Sequence, residues 1–181
     1  VVEPADRVMP APKPYQKDGA KYIMMPGFAK LRHTVVEKRM EDLRAYAETT
    51  PLNRVEMGGT KLGIIASGTA YQYAREVLGD TASFLKIGLV NPLPSELIKK
   101  FASQVDRLVV IEELDSVIED HCKKIGLTVE GKNLFPVTDE FSQNLVAEKL
   151  GVAYTAGKTF EEPVPPRPPV MCAGCPHRGL F

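Results

Sequence analysis

The sequence predicts an α/β fold, a three-layer α/β/α sandwich built on a mostly parallel sheet. Two observations carry that expectation. Short runs that are apolar throughout, "LGIIAS", "SFLKIGL" and "RLVVIEE", recur along the chain, and each is followed by a stretch of helical periodicity. Continuous rather than alternating apolar character means burial on both faces, the mark of parallel strands covered by helices in right-handed βαβ units.

Taken in order, residues 1–30 read as a linker from a preceding domain. Pro4, Pro10, Pro12, Pro14 and Pro26 each fix φ and remove an N–H, which forbids a long helix or a central strand. In "AKLRHTVVEKRMEDLRAYAETTP", Leu31, Val35, Met40, Leu43 and Ala47 recur at roughly helical spacing among charged residues until Pro51 ends the pattern. One long amphipathic helix is expected there, packed on the domain or bridging to a neighbour. The alternation then begins: strand "LGIIAS", helix "GTAYQYAREVLG" closing on Gly79, strand "SFLKIGL", helix "SELIKKFASQV", strand "RLVVIEE", and helix "DSVIEDHCKKIG" closing on Gly126. The less regular "LTVEGKNLFPVTD" has room for one or two short edge strands, and "EFSQNLVAEKLG" for a last helix. Residues 31–160 are thus one α/β domain with a leading helix. From residue 161, "EEPVPPRPPV" favours an extended polyproline spacer.

Composition narrows the functional classes. With 23 basic and 23 acidic residues the formal net charge is zero, so no global field draws the chain to nucleic acid or to an anionic membrane. No apolar run approaches the roughly 20 residues that span a bilayer, and "VVEPADRVMP" lacks the layout of a signal peptide. A cytoplasmic chain with reduced thiols is expected, since three cysteines do not make a disulfide framework. The proline-punctuated start and the stop at "RGLF" lead us to expect a cut at each end.

In such sheets ligands and partners gather at the carboxyl ends of the strands. Those ends offer Ser67, Gly68 and Thr69, then Asn91, Pro92 and Leu93, then Glu112, Glu113 and Asp115. Ser67 to Thr69 could hold an anion through helix amides, or be ordinary caps. "GGTKLG" has the wrong spacing for a dinucleotide fingerprint and precedes its strand. The acidic trio could run acid–base chemistry or hold Mg²⁺, but capping and interface roles fit better, with Asp115 a candidate N-cap. His121 and Cys122 lie in the following helix without a carboxylate-bearing motif, so a partly buried, small apolar thiol is expected.

The end of the chain, "MCAGCPHRGLF", holds a C-x-x-C spacing at Cys172 and Cys175 followed by His177. These give a tetrahedral zinc site at most three of four ligands, and Pro176 restricts how Cys175 and His177 converge. A thioredoxin-like pair would follow a strand, not a polyproline spacer, and an iron–sulfur cluster wants four thiolates. Gly174 alternatively permits close approach of backbone to a phosphate or ring.

"PPRPPVMCAGCPHRGLF" resembles the junction in the large (alpha) subunit of indolepyruvate ferredoxin oxidoreductases, where "CPGCPHR" opens the thiamine diphosphate-binding domain; Ala173 stands where the family often has proline. "KLGIIASGTAYQYAREVL", "LKIGLVNPLPSELIKKFA" and "RLVVIEELDSVIEDHCKKIG" resemble the middle of that subunit in order and spacing, and "LVNPLP" with "VVIEE" is similar to the transketolase C-terminal-like domain. The resemblance implies oxidative decarboxylation of aryl pyruvates such as indolepyruvate to aryl-acetyl coenzyme A, with ferredoxin as electron acceptor. It implies thiamine diphosphate, Mg²⁺ and [4Fe-4S] clusters in the intact enzyme, and a beta (small) subunit as partner. Cys172, Gly174, Cys175, Pro176 and His177 match the cofactor-binding motif, so 161–181 is expected to be a linker and the start of a truncated thiamine diphosphate domain. The G-D-G…N diphosphate motif, the aminopyrimidine glutamate and the cysteine-rich segment are absent from the 181 residues. An excised domain with a structural or interface role, inactive and without cofactor when alone, is the expectation. A pyruvate or 2-oxoglutarate ferredoxin oxidoreductase, and a non-enzymatic metal-binding module, are the alternatives.

Overall fold

Strand β2 (Gly63–Ser67) is the centre of the domain, and its side chains divide two cores between them. In the computed structural model, which describes residues 6, 8–155, 165, 171 and 173–179, Ile64, Ile65 and Ala66 are wholly buried. Because a strand alternates its faces, Ile64 and Ala66 enter one core with Tyr71, Phe84 and Val109, while Ile65 enters the other with Leu85, Ile98 and Phe101. Helices α3 (Gly68–Leu78) and α6 (Gln143–Leu150) cover the first face. Helices α4 (Ser95–Ala102) and α5 (Val117–Lys124) cover the second. Each is amphipathic over one stripe, as in α4, where Ile98 and Phe101 are buried and Lys99 and Lys100 lie on the exposed side.

The sheet runs β1-β3-β2-β4. Strand β3 (Ser83–Ile87) and strand β4 (Leu108–Ile111) flank β2 in parallel, Ile64 facing Phe84 on one side and Val109 on the other. The three-layer α/β/α architecture expected from the apolar runs is therefore present. Strand β1 (Arg54–Glu56), which the pattern did not announce, adds an antiparallel edge to β3. Where edge strands were expected, in 127–139, there is instead one parallel bridge between Val109 and Glu130.

"GGTKLG" has a packing role. Gly58 N donates to Ser83 Oγ at 3.0 Å, and a Cβ on Gly58 would lie 2.5 Å from the Ala82 carbonyl oxygen, so only glycine fits that close approach.

A four-residue helix, α1 (Gly19–Tyr22), and the 22-residue α2 (Pro26–Ala47) precede the sheet. Pro26 does not stop a helix but opens one at its first position, where the missing N–H costs nothing and the fixed φ is already helical. Helix α2 is about 33 Å long at 1.5 Å per residue. Ala47 is its only buried residue, and the expectation that it packs on the domain fails for all but its last turns.

That last turn is fastened at two points. Asn53, itself buried, donates from Nδ2 to the Ala47 carbonyl at 2.8 Å and accepts from Gly88 N and Leu89 N at 2.9 and 3.0 Å. The Glu48 carboxylate accepts from Glu96 N and Leu97 N at 3.1 and 2.7 Å, satisfying amides at the start of α4. Among the described residues no helix is long and apolar enough to cross a membrane.

Candidate functional site

The chain from β2 turns to one face of the sheet through α3, and the chain from β4 turns to the other through α5. Adjacent parallel strands whose connections part in this way leave a crevice at their carboxyl ends. The crevice is an open hollow of about 450 Å³, lined by Ser67–Ala70 on one side and by Val90, residues 112–115, Val117 and Ile118 on the other. Two of the three segments expected at this edge, 67–69 and 112–115, thus meet. The third does not join them: Asn91, Pro92 and Leu93 line a neighbouring hollow with Arg44, Ser95 and His121.

Within the crevice two of the three carboxylates are already engaged. Glu112, only 8 % exposed, accepts from Ile118 N at 2.8 Å and Glu119 N at 2.9 Å. It is therefore the cap of α5, a role expected of Asp115. Ser116 holds the N-cap position and its hydroxyl makes no capping bond, so the first-turn amides find their acceptor six and seven residues upstream. Burial pushes the Glu112 carboxyl above the ordinary carboxylate value, although the two amides and the Lys132 ammonium favour its charge. Glu113 accepts from Phe141 N at 2.8 Å and so ties down the approach to α6. Leu114, the next residue, has φ of +58° and an exposed side chain. At the opposite wall Ser67 is the N-cap of α3 but makes no side-chain capping bond, and Gly68 has φ of +54°. Glycine is needed there for the backbone to turn from strand to helix.

No group of three or more His, Cys, Asp or Glu among the described residues is arranged to hold a metal ion. What the crevice offers is apolar wall from Val90, Leu114 and Val117 with carboxylates on its rim.

The adjoining hollow contains a pair that sequence reasoning did not single out. His121 Nε2 lies 3.0 Å from Ser95 Oγ and joins α5 to the start of α4. No local motif signals it, because the two residues are 26 positions apart. Burial, with help from Lys124, holds the imidazole below its ordinary value and the Glu48 carboxylate opposes them. A depressed histidine resists protonation when folded, so stability is lost as pH falls from about 6.5, the unfolded value. We expect thermal melts to drop over that interval in the wild-type chain and to flatten in His121→Gln, with calorimetry against pH as the check.

Cys122, expected to be partly buried, lies wholly buried in α5, and burial pushes its thiol up to about 12, which makes it unreactive. Of the terminal motif, Cys172 lies outside the described residues. Pro176 opens a 3₁₀ turn (Pro176–Gly179) that brings Cys175 Sγ within 3.5 Å of His177 Nδ1, so proline does not keep the two apart. Gly174 has φ of +75°. Gly174, Pro176 and His177 are exposed and Cys175 is half-buried, so these four residues do not by themselves enclose a thiamine cofactor.

No family profile matches the chain. Individual proteins do. It is 33% identical to indolepyruvate oxidoreductase subunit IorA of Pyrococcus horikoshii over 92% of its own length and 29% of that protein's. It is 32% identical to the subunit of the same name from Methanothermobacter thermautotrophicus over its whole length and 32% of that protein's. The corresponding Archaeoglobus fulgidus subunit is 30% identical over 88% of the chain and 28% of that subunit. In fold it matches a 2-oxoglutarate:ferredoxin oxidoreductase from Magnetococcus marinus with a TM-score of 0.52, at 14% identity, over 71% of this chain and 23% of that one. The chain therefore belongs to the family of indolepyruvate oxidoreductase subunit IorA, and it spans about three-tenths of the length of the relatives it matches.

Proposed function

We propose that this chain is the interface domain of a thiamine diphosphate-dependent 2-oxoacid:ferredoxin oxidoreductase, one that converts aryl pyruvates such as indolepyruvate to aryl-acetyl coenzyme A. The single observation that supports this most is the identity of 32 to 33% to IorA subunits across 92 to 100% of the chain. Its own residues supply geometry rather than chemistry. The carboxylates at the sheet edge cap α5 and tether the approach to α6, so they serve the frame. Catalysis of this kind depends on groups held in fixed relation by several domains, and a stiff α/β unit serves that purpose.

Thiamine diphosphate, when bound in the complete enzyme, would supply carbanion stabilisation. The described part of the Cys172–His177 motif does not by itself enclose it. The small subunit, ferredoxin and coenzyme A are the proposed partners of the whole assembly. The carboxyl-edge crevice, with its exposed Val90, Leu114 and Val117, is the proposed contact with a neighbouring domain or subunit.

The test is ferredoxin reduction by the complete large subunit with its small subunit and coenzyme A, offered indolepyruvate, pyruvate or 2-oxoglutarate in turn. Highest kcat/KM for indolepyruvate is expected. Preference for pyruvate or 2-oxoglutarate would overturn the substrate assignment, and reduction with none of the three would overturn the enzyme class.

A further inference from the structure

The chain carries two exposed surfaces that complement each other and cannot meet within one copy. The first is the arm formed by α1 and the leading half of α2. Tyr22, Ile23, Met24, Met25, Phe28 and Leu31 all lie exposed along it, between 38 and 72 %. From Lys17 to Arg32 it carries four cations, Lys17, Lys21, Lys30 and Arg32, against the single carboxylate of Asp18. The second is the carboxyl-edge crevice. Val90, Leu114 and Val117 stand 48, 64 and 60 % exposed there. Glu113 and Asp115 line it, no lysine or arginine does, and the exposed Asp139 and Glu140 sit beside Glu113 through its bond to Phe141 N. Leu114 holds φ of +58°, a backbone region that a branched side chain disfavours, with its apolar group in the open. One surface is apolar and basic, the other apolar and acidic.

Helix α2 leaves the domain beside the crevice, since Met40 and Arg44 line the adjoining hollow together with Val90 and Val117. Residues 28 and 40 are separated by about 18 Å of helix at 1.5 Å per residue, so a straight α2 carries the arm away from its own crevice. We propose that the α1–α2 arm of one copy docks in the carboxyl-edge crevice of a second copy and receives that copy's arm in return. The exchange is isologous, each copy giving and accepting the same surface, so it closes as a twofold dimer. Phe28 and Leu31 meet Val90, Leu114 and Val117, while Lys30 and Arg32 face Asp115 and the Asp139–Glu140 rim. The docked arm names the partner of the interface proposed for this edge and rests on that proposal.

Light scattering of the 181-residue chain over a range of concentrations tests it, with circular dichroism to show that each variant is folded. The wild-type chain is expected to dimerise, and Leu31→Asp and Leu114→Asp each to weaken the dimer at least roughly tenfold. Mixing the two variants restores half of the exchange, the intact arm of one in the intact crevice of the other, so the mixture dimerises more tightly than either alone. Lys30→Glu and Asp115→Lys, each weakening by itself, recover association when combined in one chain. A chain monomeric at every concentration, a dimer indifferent to the arm, or a mixture no tighter than its components would each overturn the exchange. If the arm variants leave self-association unchanged while Asp115→Lys still disturbs the complete enzyme, the exchange falls and the interface reading stands.

Discussion

Glu112→Ala is expected to destabilise the domain by about 2 to 4 kcal/mol, read as a lower denaturant midpoint at unchanged slope. The carboxylate is 8 % exposed and is the acceptor for both Ile118 N and Glu119 N. Removing it leaves two buried amides without a partner, and each orphaned donor costs more than an ordinary hydrogen bond contributes. Lys132, whose ammonium donates to the Glu112 carbonyl and lies 5.4 Å from the centre of the Phe141 ring, would also lose the charge that faces it. Asp115→Ala, by contrast, should move the midpoint little, because Asp115 is exposed and caps nothing. Equal effects of the two would mean that the cap has been assigned to the wrong carboxylate.

Asn53→Ala is the second large effect, about 2 to 3 kcal/mol, with a consequence beyond stability. One side chain satisfies the Ala47 carbonyl at the end of α2 and the Gly88 and Leu89 amides after β3. Without it three backbone groups in a partly buried joint lose their partners, and of these side-chain ties α2 keeps the Glu48 bonds to the start of α4. Amide exchange should rise at Gly88 and Leu89 and through the last turn of α2 while the protection of β2 and β4 is retained. Unchanged exchange at residues 88 and 89 would show that the joint does not hang on Asn53.

The three parallel strands were legible because each is buried on both faces, which writes an unbroken apolar run into the sequence, as in "GIIA" and "LVVI". Helices α3 to α6 were legible through their stripes and through Gly79 and Gly126 at two of their ends. Strand β1 was not, because Arg54 and Val55 are exposed and only pairing with Lys86 and Leu85, some thirty residues on, makes them a strand. The beginning of α2 was misjudged because proline terminates a helix from within but starts one from its first position. At the crevice, the meeting of 67–69 with 112–115 followed from parallel topology alone. The assignment of the cap to Glu112 did not, since a carboxylate six and seven residues before the amides it serves has no fixed spacing to read. Asn91–Leu93 fell elsewhere because the chain after β3 turns toward the end of α2, where Asn53, Glu48 and His121 gather. The family itself came from whole-chain resemblance, which the IorA matches bear out; no isolated motif in the domain would have named it.

The central claim is that the carboxyl edge of this domain serves assembly and not chemistry. Asp115→Lys in the complete enzyme tests it most directly, because Asp115 lines the crevice, is exposed, and makes no bond that holds the fold. Glu113 is a poorer choice, since its reversal would also free Phe141 N. Sedimentation velocity and ferredoxin reduction would be measured on the same preparation. A weakened assembly, with KM for the 2-oxoacid unchanged in the fraction that remains assembled, is the predicted result. Normal assembly with kcat lost would place the edge in the catalytic machinery and contradict the account.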